Sequence, residues 1–158
     1  MKKLIILSLC CFLGIQNGFS QKSKMSSAEL KYRNSIEQFL KEEGYVPTID
    51  DDDNSLNFKK EGSRYWLTVQ GDDPYYIRLH KSGFTMEGTN RKLILEACNY
   101  ANMNKRCGKA CVDDDSVIFI VEFYCHSLEG FKNTFYDNMR AVDSVKKATS
   151  DYYNEHDK

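Results

Sequence analysis

Residues 56–80, LNFKKEGSRYWLTVQGDDPYYIRLH, decide how this chain folds. Leu56, Phe58 and Lys60 alternate with Asn57 and Lys59 before a Glu61-Gly62 turn. Tyr65, Leu67 and Val69 then alternate with Trp66 and Thr68 before Gly71-Asp72-Asp73-Pro74, and Tyr75, Ile77 and Leu79 alternate with Tyr76, Arg78 and His80. A period of two, broken by turn residues, predicts three antiparallel strands in a meander.

Working outward, Leu30, Ile36, Phe39 and Leu40 have helical spacing, and Gly44 supplies a left-handed stop before an extended Tyr45–Ile49 segment containing Pro47. Downstream, Thr89 or Asn90 caps a second helix carrying Leu93, Leu95, Ala97, Cys98 and Ala101. Lys109 to Val112, an Asp113–Ser116 turn and Val117 to Cys125 form a hairpin. From Ser127 onward, Leu128, Phe131, Phe135, Met139, Val142 and Val145 mark one face of a long last helix. The expected fold is α+β, a five-stranded antiparallel sheet with three helices in the order α-β-β-β-α-β-β-α. One domain spans residues 28–150, and residues 151–158 are expected to fray.

The amino terminus reads as a signal peptide over residues 1–20. Lys2 and Lys3 precede an apolar Leu4–Ile15 run, and Gly18-Phe19-Ser20 places small residues where signal peptidase reads, leaving a polar leader over 21–27. The run is shorter than the roughly 20 apolar residues a membrane span needs. The expected destination is the periplasm or the extracellular space. Leu7-Ser8-Leu9-Cys10 resembles a lipobox, but Leu9 stands where a small residue belongs, so a soluble product is expected over a lipoprotein.

Composition limits function as well. The 158 residues carry a net charge of -1, and losing Lys2 and Lys3 with the signal peptide makes it -3, which gives no general attraction for nucleic acid or an anionic membrane. Twenty aromatic residues supply ample apolar surface.

Strand alternation points to a binding surface. If Tyr65, Leu67, Val69, Ile77, Leu79, Val117, Phe119, Val121 and Phe123 face the helices, then Trp66, Thr68, Tyr76, Arg78, Ile118, Ile120, Glu122 and Tyr124 face away. An outer face this rich in aromatic and aliphatic groups, with an arginine among them, fits association with a protein or peptide, or a homodimer. Glu122 is expected to pair with Arg78 or a lysine on the same face. A carboxyl buried there would titrate high, which supports a more distant reading as an acid-base enzyme with His80.

Other candidates favour bland roles. Cys98 and Cys125 fit small core positions, whereas Cys107 and Cys111 are expected to be accessible thiols or a bridge. Their spacing, without a nearby histidine, is poor for zinc. Asp50, Asp52, Asn54, the Leu56 carbonyl and Glu61 have calcium-loop spacing, but Ser55 replaces the required glycine and a strand follows, so a solvated turn and no metal are expected. His80, His126 and His156 have no nucleophile partner and are read as surface residues.

Several words resemble the YbjN-like family of sensory-transduction regulators. They are Phe39-Leu40-Lys41-Glu42-Glu43-Gly44-Tyr45-Val46-Pro47, Asn57-Phe58-Lys59-Lys60-Glu61-Gly62, Asp72-Asp73-Pro74, and Leu95-Glu96-Ala97-Cys98-Asn99-Tyr100-Ala101-Asn102 leading into Lys109 and Val112-Asp113-Asp114. The resemblance covers about Ser35 to Met139 and implies the fold of class I type III secretion chaperones, with peptide binding as its functional corollary and no catalytic residue or cofactor. The expected function is an exported, non-enzymatic, chaperone-like binding module; a small-molecule or envelope-stress sensor is the alternative.

The exported protein should begin near Gln21 and carry no lipid. Intact-mass analysis checks this, and an acylated Cys10 or Cys11 at the amino terminus contradicts it.

Overall fold

The structure, a computed structural model, describes residues 25–157, so the expected signal peptide over 1–20 lies outside the described residues. Its elements are α1 (Ser27–Glu42), β1 (Thr48–Ile49), β2 (Leu56–Lys60), β3 (Ser63–Gln70), β4 (Tyr75–Thr85), α2 (Arg91–Asn104), β5 (Gly108–Asp113), β6 (Ser116–Cys125) and α3 (Leu128–His156). The strands form one antiparallel sheet in the order β1-β2-β3-β4-β6-β5. The fold is therefore α+β with three helices, but the sheet has six strands where five were expected. The sixth is β1, a two-residue strand after Pro47, which the Asp50–Ser55 turn folds back onto Leu56 and Asn57. It is too short for alternation to register.

Local chemistry sets the boundaries. Ser26 and Glu29 form a reciprocal capping box at the start of α1, and Gly44, at φ +86°, ends it, its own amide donating to the Lys41 carbonyl and the Tyr45 amide to the Leu40 carbonyl. The side chains of Asn90 and Ser127 cap α2 and α3. Between β2 and β3, Glu61 and Gly62 both take positive φ, the two-residue turn whose twist matches paired strands.

One core lies between the sheet and the helices. Leu56, Phe58, Tyr65, Leu67, Val69, Ile77, Leu79, Val117, Phe119 and Val121 pack with Ile36, Phe39 and Leu40 of α1, Ile94 and Cys98 of α2, and Phe131, Phe135, Met139 and Val142 of α3. This cluster draws on all three helices but only on the inner side chains of the strands, so the helices share one face. Along the β5 edge, the Asn102 side chain accepts from the Ala110 N–H (2.7 Å) and donates to its carbonyl (3.0 Å). Its carboxamide thus occupies backbone groups that an edge strand would otherwise offer to another chain. Gly108 lets α3 approach β5, since a Cβ there would lie 2.5 Å from Val145 Cγ2.

The expected fraying over 151–158 is corrected, because α3 stays helical to His156. Tyr152 packs on Tyr100 at 4.8 Å between ring centres, and the Tyr153 hydroxyl accepts from the Asn90 amide. These contacts with α2 and its cap anchor the last turns.

A lysine of the central sheet enters the inner side. Lys81 follows the parity of Ile77 and Leu79, is 5% exposed, and donates to Asp143 Oδ1 on α3 (2.6 Å) and to the Tyr65 hydroxyl (3.2 Å). Tyr65 also donates to Asp143 Oδ1 (2.7 Å), and burial followed by that bond holds its phenol well above the ordinary range. Removing Asp143 strands a buried ammonium, whereas removing Lys81 removes the buried charge itself. Asp143→Ala should therefore cost about 1–3 kcal/mol in urea denaturation, more than Lys81→Met. A larger loss for Lys81→Met contradicts this account.

Candidate functional site

Register assembles the outer face row by row. Asn57, Trp66, His80, Ile120 and Lys109 form one row across β2, β3, β4, β6 and β5. Thr68, Arg78 and Glu122 form the next, followed by Gln70, Tyr76 and Tyr124; Ile118 lies between Ser82 and Cys111. All eight residues expected on this face occupy it. They do not contribute equally, because Ile118 and Ile120 are only 9% and 5% exposed while standing outside the main core cluster. Flanked by Ser82 and Cys111, and by His80 and Lys109, they support the face instead of offering contact area. Tyr124 is 71% exposed, and Trp66, Thr68, Tyr76, Arg78 and Glu122 are half-buried.

Glu122 pairs with a lysine, Lys109, and not with Arg78. The Tyr76 hydroxyl donates to Oε1 and Lys109 Nζ to Oε2, each at 2.5 Å. The Lys109 bond, then the Tyr76 bond, hold Glu122 below the usual carboxylate range, and the same ion pair raises Lys109. The group is an ionised acceptor with both oxygens engaged, the opposite of the high-titrating acid that the enzymatic reading requires. Tyr76 is pushed up to about 12 by burial and by its bond to Glu122.

His80 is corrected from a surface residue to a half-buried member of the face. It stacks on Trp66 with ring centres 5.4 Å apart and planes 9° from parallel, and its Nδ1 is buried without a hydrogen-bond partner. Burial first, then the positive charge of Arg78, lowers it to about 4, against weaker pulls from Asp53 and Asp113. His126 is exposed and pairs with Asp73 at 2.6 Å, and exposed His156 contacts the Tyr152 carbonyl.

The remaining candidates lie apart or serve the backbone. Cys98, Cys107, Cys111 and Cys125 are all free thiols; Cys107 is exposed, Cys111 half-buried on the outer face, and the other two buried. Burial, then nearby Cys111, pushes Cys98 up to about 11, and the Cys125 thiol donates to the Ser127 carbonyl. In the acidic turn, Asp50 Oδ1 accepts from the Asp52 amide (2.9 Å) and Asp53 Oδ1 from the Ser55 amide (2.8 Å). Both carboxylates shape the turn through these bonds.

Sequence reasoning missed Lys109, His80 and Lys81 as structural partners. The signal for His80 and Lys81 was present, since strand parity assigns the first to the outer face and the second to the inner. Lys109 required the β5–β6 register, which no single strand reveals.

Because folding lowers the His80 pKa from 6.5 to about 4, its contribution to stability is complete above pH 6.5 and declines as pH falls toward 4. His80→Gln should remove this slope, narrowing the loss between pH 7 and pH 4.5 by about 1–2 kcal/mol after allowance for partial solvent access. Denaturant titrations at both pH values check this, and identical losses in both proteins contradict it.

No curated protein matches the chain at a significant level. Among solved structures, one described as "Crystal structure of YbjN, a putative transcription regulator from E. coli" is similar at a TM-score of 0.49 and 12% identity, covering 78% of this chain and 92% of that one. Residues 32–157 match the family described as "YbjN: Putative bacterial sensory transduction regulator", and the chain belongs to that family.

Proposed function

We propose that the mature chain is an exported, non-enzymatic binding module that holds a polypeptide, either another protein or a second copy of itself, against the outer face of its sheet. The observation that carries this reading is the division of labour between the two faces. The helices complete the core on one side, while Trp66, Tyr76, Arg78 and the exposed Tyr124 stand together on the other. Aromatic side chains with an arginine among them are the composition of binding hot spots. The face is also pre-organised. Trp66 is held by stacking on His80, and Tyr76 by its bond to Glu122. Such ordering in the free protein reduces the entropy lost on association. The family's description as regulators is compatible with a role exercised through binding.

Trp66 is the single tryptophan and provides the test. Trp66→Ala should remain folded by far-ultraviolet circular dichroism while losing about 2 kcal/mol of association, roughly 30-fold, in light scattering or in titration with a captured partner. A core control such as Phe119→Ala should instead lose about 3–5 kcal/mol of folding stability. If Trp66→Ala unfolds like the core variant and its folded fraction associates as before, the outer face is not the contact surface.

A further inference from the structure

Arg78 occupies the middle of the proposed face. On β4 it lies between Tyr76 and His80, with Thr68 across from it on β3 and Glu122 across from it on β6. The nearest acid by register is therefore Glu122, but Tyr76 and Lys109 already occupy its two oxygens. Among the described residues no carboxylate lies within 4.0 Å of the Arg78 guanidinium, and its Nε is buried without a hydrogen-bond partner. That nitrogen is closed to a ligand, so only the two Nη groups can meet one, and two parallel N–H bonds to a carboxylate are what a planar guanidinium is best suited to make.

The surroundings favour the same ligand. Lys59 and Arg64, opposite one another in the β2–β3 register and of the same parity as Trp66, also have no ion-pair partner among the described residues. Asp53 and Asp113 pull on His80, which stays neutral, and Glu122 is neutralised by Lys109. Three cations without an ion pair among the described residues, Lys59, Arg64 and Arg78, thus stand on this face against two unpaired carboxylates, Asp53 and Asp113, beside it.

We propose that Arg78 recognises a carboxylate of the bound polypeptide, an Asp or Glu side chain or a free carboxyl terminus, while Trp66 and Tyr76 hold the apolar groups beside it. The inference rests on the outer face being the contact surface, and it names what that surface selects: an acidic segment with apolar neighbours.

Calorimetric titration of the mature protein with three acetylated octapeptides of alternating Thr and Val tests it. One carries a central Asp and an amidated end, one a central Asn and an amidated end, and one a central Asn and a free carboxyl end. The Asp peptide, the free-ended peptide or both should bind about ten-fold or more tightly than the amidated Asn peptide, and whichever gains identifies the carboxylate's source. Arg78→Gln should abolish the gain, whereas Trp66→Ala should weaken all three alike. Equal affinities in the wild type, with Trp66→Ala still weakening all three, overturn the role of Arg78 and leave the face standing. Absence of binding, or binding indifferent to both substitutions, overturns both. If Arg78→Gln does not fold, salt decides: the gain should shrink several-fold between about 0.05 and 0.5 M sodium chloride, and a gain unmoved by salt contradicts the proposal.

Discussion

The pairing of β4 with β6 is the constraint on which the rest of the structure depends. These are the longest strands, both lie inside the sheet with a neighbour on each side, and their register runs from Tyr75 opposite Cys125 to Thr85 opposite Ser116. Side chains alternate between faces, so a slip of one residue would either move Ile77 and Leu79 out of the core and drive Arg78 into it, or move Phe119 and Val121 out and drive Glu122 in. Burying those charges without partners would cost several kcal/mol, so register is enforced from both sides. Gly83, where the register shifts near the end of β4, helps fix it. A Cβ there would lie 2.5 Å from the Phe119 ring and 2.9 Å from the Val117 carbonyl.

Two polar clusters follow from that register, one on each face. Inside, Lys81 meets Asp143 and Tyr65, so its buried ammonium is matched. Outside, Glu122 is matched by Tyr76 and Lys109, which leaves Arg78 without a counterion among the described residues. The inner cluster closes upon itself and stabilises the fold. The outer one leaves a half-buried cation between Tyr76 and His80, the feature on which the proposed recognition rests.

The meander was legible in the sequence because Tyr65 to Val69 and Tyr75 to Leu79 alternate cleanly between turn residues, and the helix ends because Gly44, Asn90 and Ser127 have well-defined capping chemistry. Strand β1 was not legible, since two residues after a proline carry no period. The final turns of α3 looked polar and frayed because their anchors, Tyr100 and the Asn90 cap, are distant in sequence. Of the candidate site, parity revealed which residues share the face. It did not reveal that Ile118 and Ile120 are already covered by neighbours, or that Lys109 rather than Arg78 neutralises Glu122, because both depend on which strands lie side by side.

The central claim is that the two faces have separate tasks, one folding the chain and the other meeting a partner. Its most direct test is a nuclear magnetic resonance titration of residues 21–158, with self-association or a captured partner as the perturbation. Trp66 supplies one indole N–H signal from the outer face, and the methyl groups of Ile77, Leu79 and Val121 supply signals from the core. The account predicts that the indole resonance shifts or broadens on association while the core methyl resonances stay in place. Shifts in those methyl resonances with the indole unchanged would contradict it.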